Sequence, residues 1–141
     1  MERRVTASAE LIEVLGLKFA ANPLRLADEI ERGLPSATLA KLVRLIAPDN
    51  PEFRYRVVPK ATFARRKGKR LSSAHSERIA RYARLWAVAL GVWKSEEDAR
   101  DFLWRKHPLL EGRRPIDVAA TEVGARLVED VLGGLEHGTA V

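Results

Sequence analysis

Residues 53–70 read FRYRVVPKATFARRKGKR and carry eight lysines and arginines but no aspartate or glutamate. Pro59 lies at the centre of this stretch, and its fixed φ suits the start of a helix. We predict a short helix over about 51–57, a tight break, and a second short helix over about 60–67. Two short helices across a tight break are typical of the helix-turn-helix.

Positive charge is concentrated around this stretch. Residues 52–84 carry eleven basic and two acidic residues, whereas the whole chain of 141 residues has a net charge of +6. The rest of the chain is therefore slightly negative. Such asymmetry is typical of a protein that displaces counterions from a polyanion with one face, although a solvated charged surface is the simpler alternative.

Seven side chains of the basic stretch are predicted to contact DNA. Three of them are placed near base edges or the flanking phosphates, and the other four supply charge to the backbone. Phe63 is expected to face the core. The first group is Lys60, Thr62 and Arg65, and the second is Arg66, Lys67, Lys69 and Arg70.

Composition limits the class of protein. A length of 141 residues suits one ordinary domain or two very small ones, and a hydrophobic fraction of 46% is enough for a core. The absence of cysteine excludes disulfides and thiolate–zinc sites. No run of about 18 apolar residues is present, and charged residues interrupt the N-terminal apolar stretch, so neither a membrane span nor a signal peptide is expected. We expect a cytoplasmic protein without a membrane partner.

Helix punctuation is dense and alternating strand patterns are almost absent, which predicts an all-α protein. An N-terminal helical region over residues 1–70 is expected to hold the helix-turn-helix, with a second helical domain over 71–141. Ser36, Ser95 and Thr121 are predicted N-caps, and Asn22 followed by Pro23 is predicted to open the helix that Gly33 closes. The remaining predicted helices cover Ser8 to Gly16, Pro23 to Gly33, Ala37 to Ala47, Ser73 to about Leu90, Glu96 to about Lys106, Pro115 to Ala119, and Glu122 to Leu135.

Two apolar stripes recur at helical spacing and are interpreted as core. One runs along the long helix through Ile79, Ala83, Trp86, Leu90 and Trp93. The other runs along the last helix through Val123, Leu127, Val131 and Leu135. Acidic residues on the rest of that helix leave it amphipathic.

Motifs for catalysis or metal binding were searched for and not found. His75, His107 and His137 are scattered, and Phe63 stands where a phosphate-binding loop before Lys69 would need glycine. No nucleophile motif or cofactor site is recognised either. We predict a binding protein with no catalytic residues, no metal and no cofactor.

The stretch ARDFLWRKHPLLEGRRPIDVAATEVGARLVEDVLGGLEHG, at 99–138, resembles the toxin-binding domain of the Xre/MbcA/ParS antitoxins. Residues 99–105 resemble the family's "A-x-x-W-L" helix, and 108–116 resemble its "NPxLGGxTPLEL" loop. TEVGARLV at 121–128 is similar to its "TExGAxxV" helix start, and GLEHG at 134–138 is similar to its closing "xIEHG".

The likeness continues towards the N-terminus. RLSSAHSERIARYARL resembles the family's "RLSPEESDRLLRLARL", VVPKATFARR resembles its "xSPRTLRRR" recognition helix, and GLPSATLAKLVRLI resembles its "GLPxxxLxxL" helix. Three positions depart from the pattern, since His107 replaces asparagine, Glu111 replaces glycine, and Val58 replaces the serine that would cap the recognition helix.

The resemblance implies an antitoxin of a type II toxin–antitoxin pair whose partner is a RES-domain toxin that depletes NAD. It also implies a homodimer that binds its operator DNA and forms a larger hetero-oligomer with the toxin, while the C-terminal helix and tail cover the toxin's active site. Expected toxin contacts are Arg126, Glu129, Asp130, Glu136, His137, Gly138, Thr139, Ala140 and Val141.

Two other classes of function stay open from the sequence. One is a stand-alone helix-turn-helix transcriptional regulator whose C-terminal region only dimerises. The other is a non-specific RNA binder, which is disfavoured because the basic stretch lacks interleaved exposed aromatic side chains for stacking on bases.

Overall fold

A computed structural model describes Leu15 and residues 22–137 of the chain. Every regular element among these residues is a helix, and extended pairing is limited to two isolated bridges, Pro35 with Arg70 and His107 with Arg113. The all-α prediction is confirmed. Apart from Leu15, the predicted helix from Ser8 to Gly16 lies outside the described residues.

The chain divides into two compact units, residues 1–84 (unit 1) and residues 85–141 (unit 2). The predicted domain boundary after Arg70 stays a prediction. Unit 1 contains α1 (Pro23–Arg32), α2 (Ala37–Ile46), a 3-10 helix (Pro51–Phe53), α3 (Arg54–Val57), α4 (Lys60–Arg65) and the first part of α5 (Ser73–Trp93). Unit 2 contains the end of α5, then α6 (Glu96–Trp104), a 3-10 helix (Pro108–Leu110), α7 (Pro115–Val118) and α8 (Glu122–His137).

Three helices begin where local sequence chemistry places them. The Asn22 side chain accepts hydrogen bonds from the backbone N–H groups of Leu24 and Arg25, and the Ser95 hydroxyl accepts one from Asp98. The Thr121 hydroxyl accepts one from Gly124 at 3.0 Å. Each side chain satisfies amide donors that a helix N-terminus otherwise leaves unpaired, so these caps are confirmed.

The core of unit 1 joins α2 to the helix-turn-helix segment and α5. Phe53 and Tyr82 meet edge to face with ring centroids 5.0 Å apart, which fixes the 3-10 helix against α5. The fully buried Ser76 hydroxyl accepts from the Leu34 N–H at 2.8 Å and donates to the Ser72 carbonyl. Other buried members are Leu39, Leu42, Ile46, Val57, Val58, Leu71, Ile79 and Ala83.

The predicted spine of α5 is correct only over its first part. Ile79, Ala83 and Trp86 are buried, whereas Leu90 is half-buried and Trp93 is 38% exposed. Trp93 instead covers Phe102 from the solvent side, with ring centroids 5.9 Å apart. The stripe is therefore buried over its first part only, and its last two members are partly exposed.

The core of unit 2 is built from small and branched side chains around Trp86. The Arg100 guanidinium lies 5.7 Å from the Trp86 ring centroid, a cation–π contact at the edge of this core. Buried side chains include Leu85, Ala99, Leu103, Leu110, Ile116, Ala119, Ala125, Val128 and Leu132. Across the described parts of both units, no helix is long and apolar enough to cross a bilayer.

Candidate functional site

The helix-turn-helix candidate is made by α3 and α4. The break between them is Val58, which is extended and fully buried, followed by Pro59, whose carbonyl accepts from the Phe63 N–H. No side chain caps α4. Val58 therefore serves as a core anchor of the turn, and the start of α4 is fixed by packing on α3 instead of by a cap.

Aromatic packing supplies that fixation. The rings of Tyr55 on α3 and Phe63 on α4 meet edge to face at 6.3 Å, and the Arg54 guanidinium lies 6.0 Å from each ring centroid. Phe63 was expected to face the core, and the structure places it half-buried against Tyr55. The Lys60 ammonium also lies 5.8 Å from the Tyr55 ring.

The outer face of α4 is exposed to solvent. Lys60 and Arg65, both predicted DNA contacts, lie on this face, together with Ala61 and Ala64. Thr62, the third residue predicted near bases, is half-buried. Sequence reasoning did not place Ala61 and Ala64 in the DNA-facing surface. The two alanines are three residues apart and lie within one turn of Lys60 and Arg65, and this spacing could have indicated a common face.

The segment after α4 is held by backbone pairing with residues 33–36. The Leu71 N–H donates to the Leu34 carbonyl and the Ser36 N–H donates to the Lys69 carbonyl, both at 2.9 Å. Gly68 donates its N–H to the Ser36 hydroxyl at 3.0 Å. The predicted N-cap role of Ser36 is wrong, because its hydroxyl bonds this distant segment and not the first turn of α2.

This pairing presents a row of basic side chains to solvent. Arg66, Lys67 and Lys69 are exposed beside the exposed end of α4. The GLPS segment, residues 33–36, thus gives the basic segment a defined backbone path. Both segments carry part of the family resemblance, and the pairing gives a physical reason why they occur together.

Arg70 differs from its basic neighbours. Its guanidinium forms an ion pair with the Glu29 carboxylate, which is buried, and donates to the Gly33 carbonyl at 2.6 Å. Removing one partner of a buried ion pair leaves the other charge uncompensated. Arg70 therefore stabilises unit 1. Part of its side chain is still exposed to solvent, and its contact with DNA stays a prediction.

The second candidate surface is the outer side of α8 in unit 2. Gly124, Ala125, Val128, Val131 and Leu132 are its buried residues. The predicted apolar stripe is wrong over its first half, because Val123 is 82% exposed and Leu127 is 48% exposed, whereas Val131 is buried and Leu135 is half-buried. Small residues decide the register, since Gly124 packs directly against the Val118 carbonyl at the end of α7.

Most residues predicted to contact a partner lie on the outer side of α8. Arg126, Asp130, Glu136 and His137 are exposed, and Glu129 is half-buried. The Arg126 guanidinium pairs with Glu122 one turn earlier at 2.9 Å. The predicted contacts Gly138, Thr139, Ala140 and Val141 lie outside the described residues.

The loop before α7 contains two residues that differ from the family pattern, and its backbone accommodates both. The His107 ring nitrogen Nδ1 accepts from the Leu109 N–H at 3.1 Å, so histidine caps the 3-10 helix as asparagine can. Glu111 adopts a left-handed conformation with φ of 57°, which explains why glycine suits this position. The loop closes through the His107 N–H, which donates to the Arg113 carbonyl.

Metal-ligating chemistry is absent from the described part of the chain. No group of three or more histidine, aspartate or glutamate side chains is placed there to hold a metal ion. The two candidate surfaces among residues 22–137 are the basic surface of unit 1 and the outer side of α8 in unit 2.

Comparison with known proteins assigns both units. Residues 25–84 match the family model described as the antitoxin Xre-like helix-turn-helix domain. Residues 89–138 match the model described as the antitoxin Xre/MbcA/ParS C-terminal toxin-binding domain. A protein described as antitoxin Xre, from Yersinia enterocolitica serotype O:8 / biotype 1B (strain NCTC 13174 / 8081), is 33% identical over 85 residues, which are 57% of this chain and 57% of that protein.

Proposed function

Because this chain belongs to the Xre/MbcA/ParS-like antitoxins, we propose that it neutralises a cognate RES-domain toxin and represses its own operon. The observation that carries the proposal is the order of the two matched domains, a helix-turn-helix over 25–84 and a toxin-binding domain over 89–138. The protein acts by binding and not by catalysis. Its operator DNA lies in the cytoplasm, which is the location we propose.

The DNA-binding half of the proposal rests on charge and exposure in unit 1. Exposed cations on α4 and on the segment after it form one basic surface, and phosphate contacts from such side chains supply most of the non-specific affinity for DNA. The residues that carry this role are Lys60, Arg65, Arg66, Lys67 and Lys69, with Thr62 and Arg70 at the margin.

Replacing Arg65 and Arg66 together by alanine is expected to weaken operator binding and to flatten its salt dependence. Each phosphate contact releases about 0.9 counterion from duplex DNA, and log K therefore falls as log salt rises. Losing two contacts makes this negative slope shallower by about two. Fluorescence anisotropy of a labelled promoter fragment at several salt concentrations measures both quantities.

A matched control separates this effect from the change in net charge. Arg105 and Arg113 of unit 2 are exposed, each paired with a carboxylate on the surface. The double variant Arg105→Ala/Arg113→Ala loses the same charge and should keep the slope of the unchanged protein. An unaltered slope in the Arg65→Ala/Arg66→Ala variant would remove α4 from the DNA interface.

The toxin-binding half rests on the outer side of α8. Arg126, Glu129, Asp130, Glu136 and His137 give this surface mixed charge. We add Val123 and Leu127, because apolar side chains exposed beside charged ones are typical of a protein interface. In the proposed complex this end of unit 2 covers the toxin's NAD pocket.

Truncation after Gly134 is expected to abolish neutralisation of the toxin while leaving the fold largely intact. The buried residues of α8 end at Leu132, and the described residues that the truncation removes, 135–137, are half-buried or exposed. Growth of cells that express the toxin with the full chain or with the truncated chain measures neutralisation, and circular dichroism measures helix content.

Two further variants locate the contact within the removed segment. Truncation after His137 removes residues 138–141 alone, whereas Glu136→Ala/His137→Ala alters the exposed end of α8 and keeps the tail. Loss in both variants indicates a continuous contact surface. Full neutralisation by the chain that ends at Gly134 would refute the assignment of this surface.

The RES and NAD parts of the proposal have their own test. Induction of the toxin alone should lower the cellular NAD level, and co-expression of this chain should restore it. A neighbouring toxin that stops growth with the NAD level unchanged would point to another toxin chemistry.

Light scattering of the purified protein and of the complex tests the proposed homodimer and the larger hetero-oligomer.

A further inference from the structure

The exposed face of α4 has an unusual composition for a DNA-reading helix. Successive residues of an α-helix are rotated by about 100°, so Lys60, Ala64, Ala61 and Arg65 follow one another in that order within about 140°. All four are exposed. Two methyl side chains thus form the centre of the face, and one cation stands at each side.

The opposite side of α4 is occupied by its own unit. Phe63 packs on Tyr55, and Thr62 is half-buried. These contacts fix the rotation of the helix, because Phe63 cannot turn outward without leaving Tyr55. The face formed by Lys60, Ala64, Ala61 and Arg65 is therefore the one available to a DNA groove.

Each position on this face has a defined chemical preference among base edges. Arginine and lysine donate to the O6 and N7 acceptors of guanine, whereas an alanine methyl makes apolar contact with the 5-methyl group of thymine. No asparagine, glutamine or carboxylate stands on the face, so it lacks the side chains that pair best with adenine or cytosine.

The small side chains of Ala61 and Ala64 also set how closely the α4 backbone can approach the DNA bases. Alanine leaves the helix backbone free to approach the floor of the major groove closely, while longer side chains would hold it away. Arg65 has no ion-pair partner within residues 22–137, so its guanidinium is available to a base. Lys60 lies against the Tyr55 ring, which limits the positions of its ammonium group.

We propose that α4 reads an operator half-site in which thymine methyl groups lie between two guanines, with Ala61 and Ala64 on the thymines and Lys60 and Arg65 on the guanines. The inference rests on the proposed DNA-binding function and specifies its substrate. Recognition of thymine through its methyl group is the part that distinguishes this half-site from any other basic contact with DNA.

Base substitution tests the proposal on the full-length protein. Binding sites are first selected from a pool of random duplexes, and affinity for the selected duplex is then measured by fluorescence anisotropy. Replacing the central thymines by uracil removes only their methyl groups and is expected to weaken specific binding several-fold. Replacing the flanking guanines by 7-deazaguanine removes the N7 acceptor and is expected to weaken binding about tenfold.

A protein variant complements the base substitutions. Ala64→Leu places a bulky side chain on the face, and leucine is a good helix former at an exposed position. We expect it to lower affinity for the selected duplex at least tenfold and to leave binding to unrelated DNA unchanged. Ala27→Leu, at an exposed alanine of α1, is the matched control and should retain full specific affinity.

The possible outcomes distinguish the proposed base preference of α4 from the proposed DNA-binding function. Selected sites without the guanine and thymine pattern, or uracil substitution without effect, overturn the inference while DNA binding stands. Absence of binding to any duplex overturns the proposed DNA-binding function and the inference with it. Loss of affinity on uracil substitution together with loss in the Ala64→Leu variant supports the assignment.

Discussion

Gly33→Ala is expected to destabilise unit 1 by about 3 kcal/mol or more, and to lower its unfolding midpoint by roughly 12 °C or more. Gly33 ends α1 with φ of 98° and ψ of 126°, a backbone conformation that side chains with a Cβ atom rarely adopt. A Cβ atom there would overlap the backbone carbonyl oxygen of Leu71. The overlap pushes apart the two segments whose pairing supports the basic surface.

Gly68 provides the control that separates backbone strain from steric overlap. Its φ of 77° is also positive, but a Cβ atom there would meet no other atom within 4 Å. Gly68→Ala should therefore cost only the left-handed backbone energy, about 1 to 2 kcal/mol. Urea unfolding of both variants gives the comparison, and equal losses would show that the contact between Gly33 and Leu71 is not tight.

Gly124→Ala is expected to destabilise unit 2 by about 2 to 3 kcal/mol, although alanine favours a helix by up to about 1 kcal/mol over glycine. A Cβ atom at Gly124 would overlap the Val118 carbonyl oxygen and crowd the Thr121 hydroxyl that caps α8. The start of α8 would have to move away from the end of α7. Because the affected turn also carries Val123, neutralisation should weaken as well.

Gly133 lies in the same helix and is the matched control. Nothing lies within 4 Å of a Cβ atom built there, so Gly133→Ala should be neutral or should stabilise unit 2 by up to about 1 kcal/mol. Thermal unfolding followed by circular dichroism distinguishes the two variants. Similar stability of the Gly124→Ala and Gly133→Ala proteins would contradict the close packing of α7 and α8.

Sequence reasoning predicts the elements that local chemistry determines. Asn22, Ser95 and Thr121 cap helices as expected, because a cap depends only on the next three residues. The buried part of the α5 spine follows from helical periodicity in the same way. The helix-turn-helix was located from Pro59 and the surrounding basic residues, and it lies within the matched domain.

What sequence reasoning could not give depends on contacts between distant residues. The Ser36 hydroxyl bonds Gly68, and Arg70 bonds Glu29, which is 41 residues away. Neither partner can be read from local spacing. The buried face at the start of α8 was predicted wrongly, with Val123 and Leu127 in place of Gly124 and Ala125, because the close approach of Gly124 to the Val118 carbonyl cannot be read from hydrophobicity.

The same limit applies to the candidate sites. Charge density located the basic surface, but the ion pair of Arg70 with buried Glu29 became visible only in the structure. Helical spacing could have placed Ala61 and Ala64 beside Lys60 and Arg65, and the structure shows that all four are exposed. Exposure of Val123 and Leu127 likewise became visible only once the rotation of α8 was known. Residue type indicates possible chemistry, whereas rotation of the helix decides which residues can meet a partner.

Co-expression of this chain with the product of the adjacent open reading frame tests the central claim most directly. We predict that the neighbour alone arrests growth, that this chain restores it, and that the two proteins co-purify as one complex. A neighbour that is harmless and forms no complex would contradict the antitoxin function. The protein would then be a stand-alone DNA-binding regulator that uses the basic surface of unit 1.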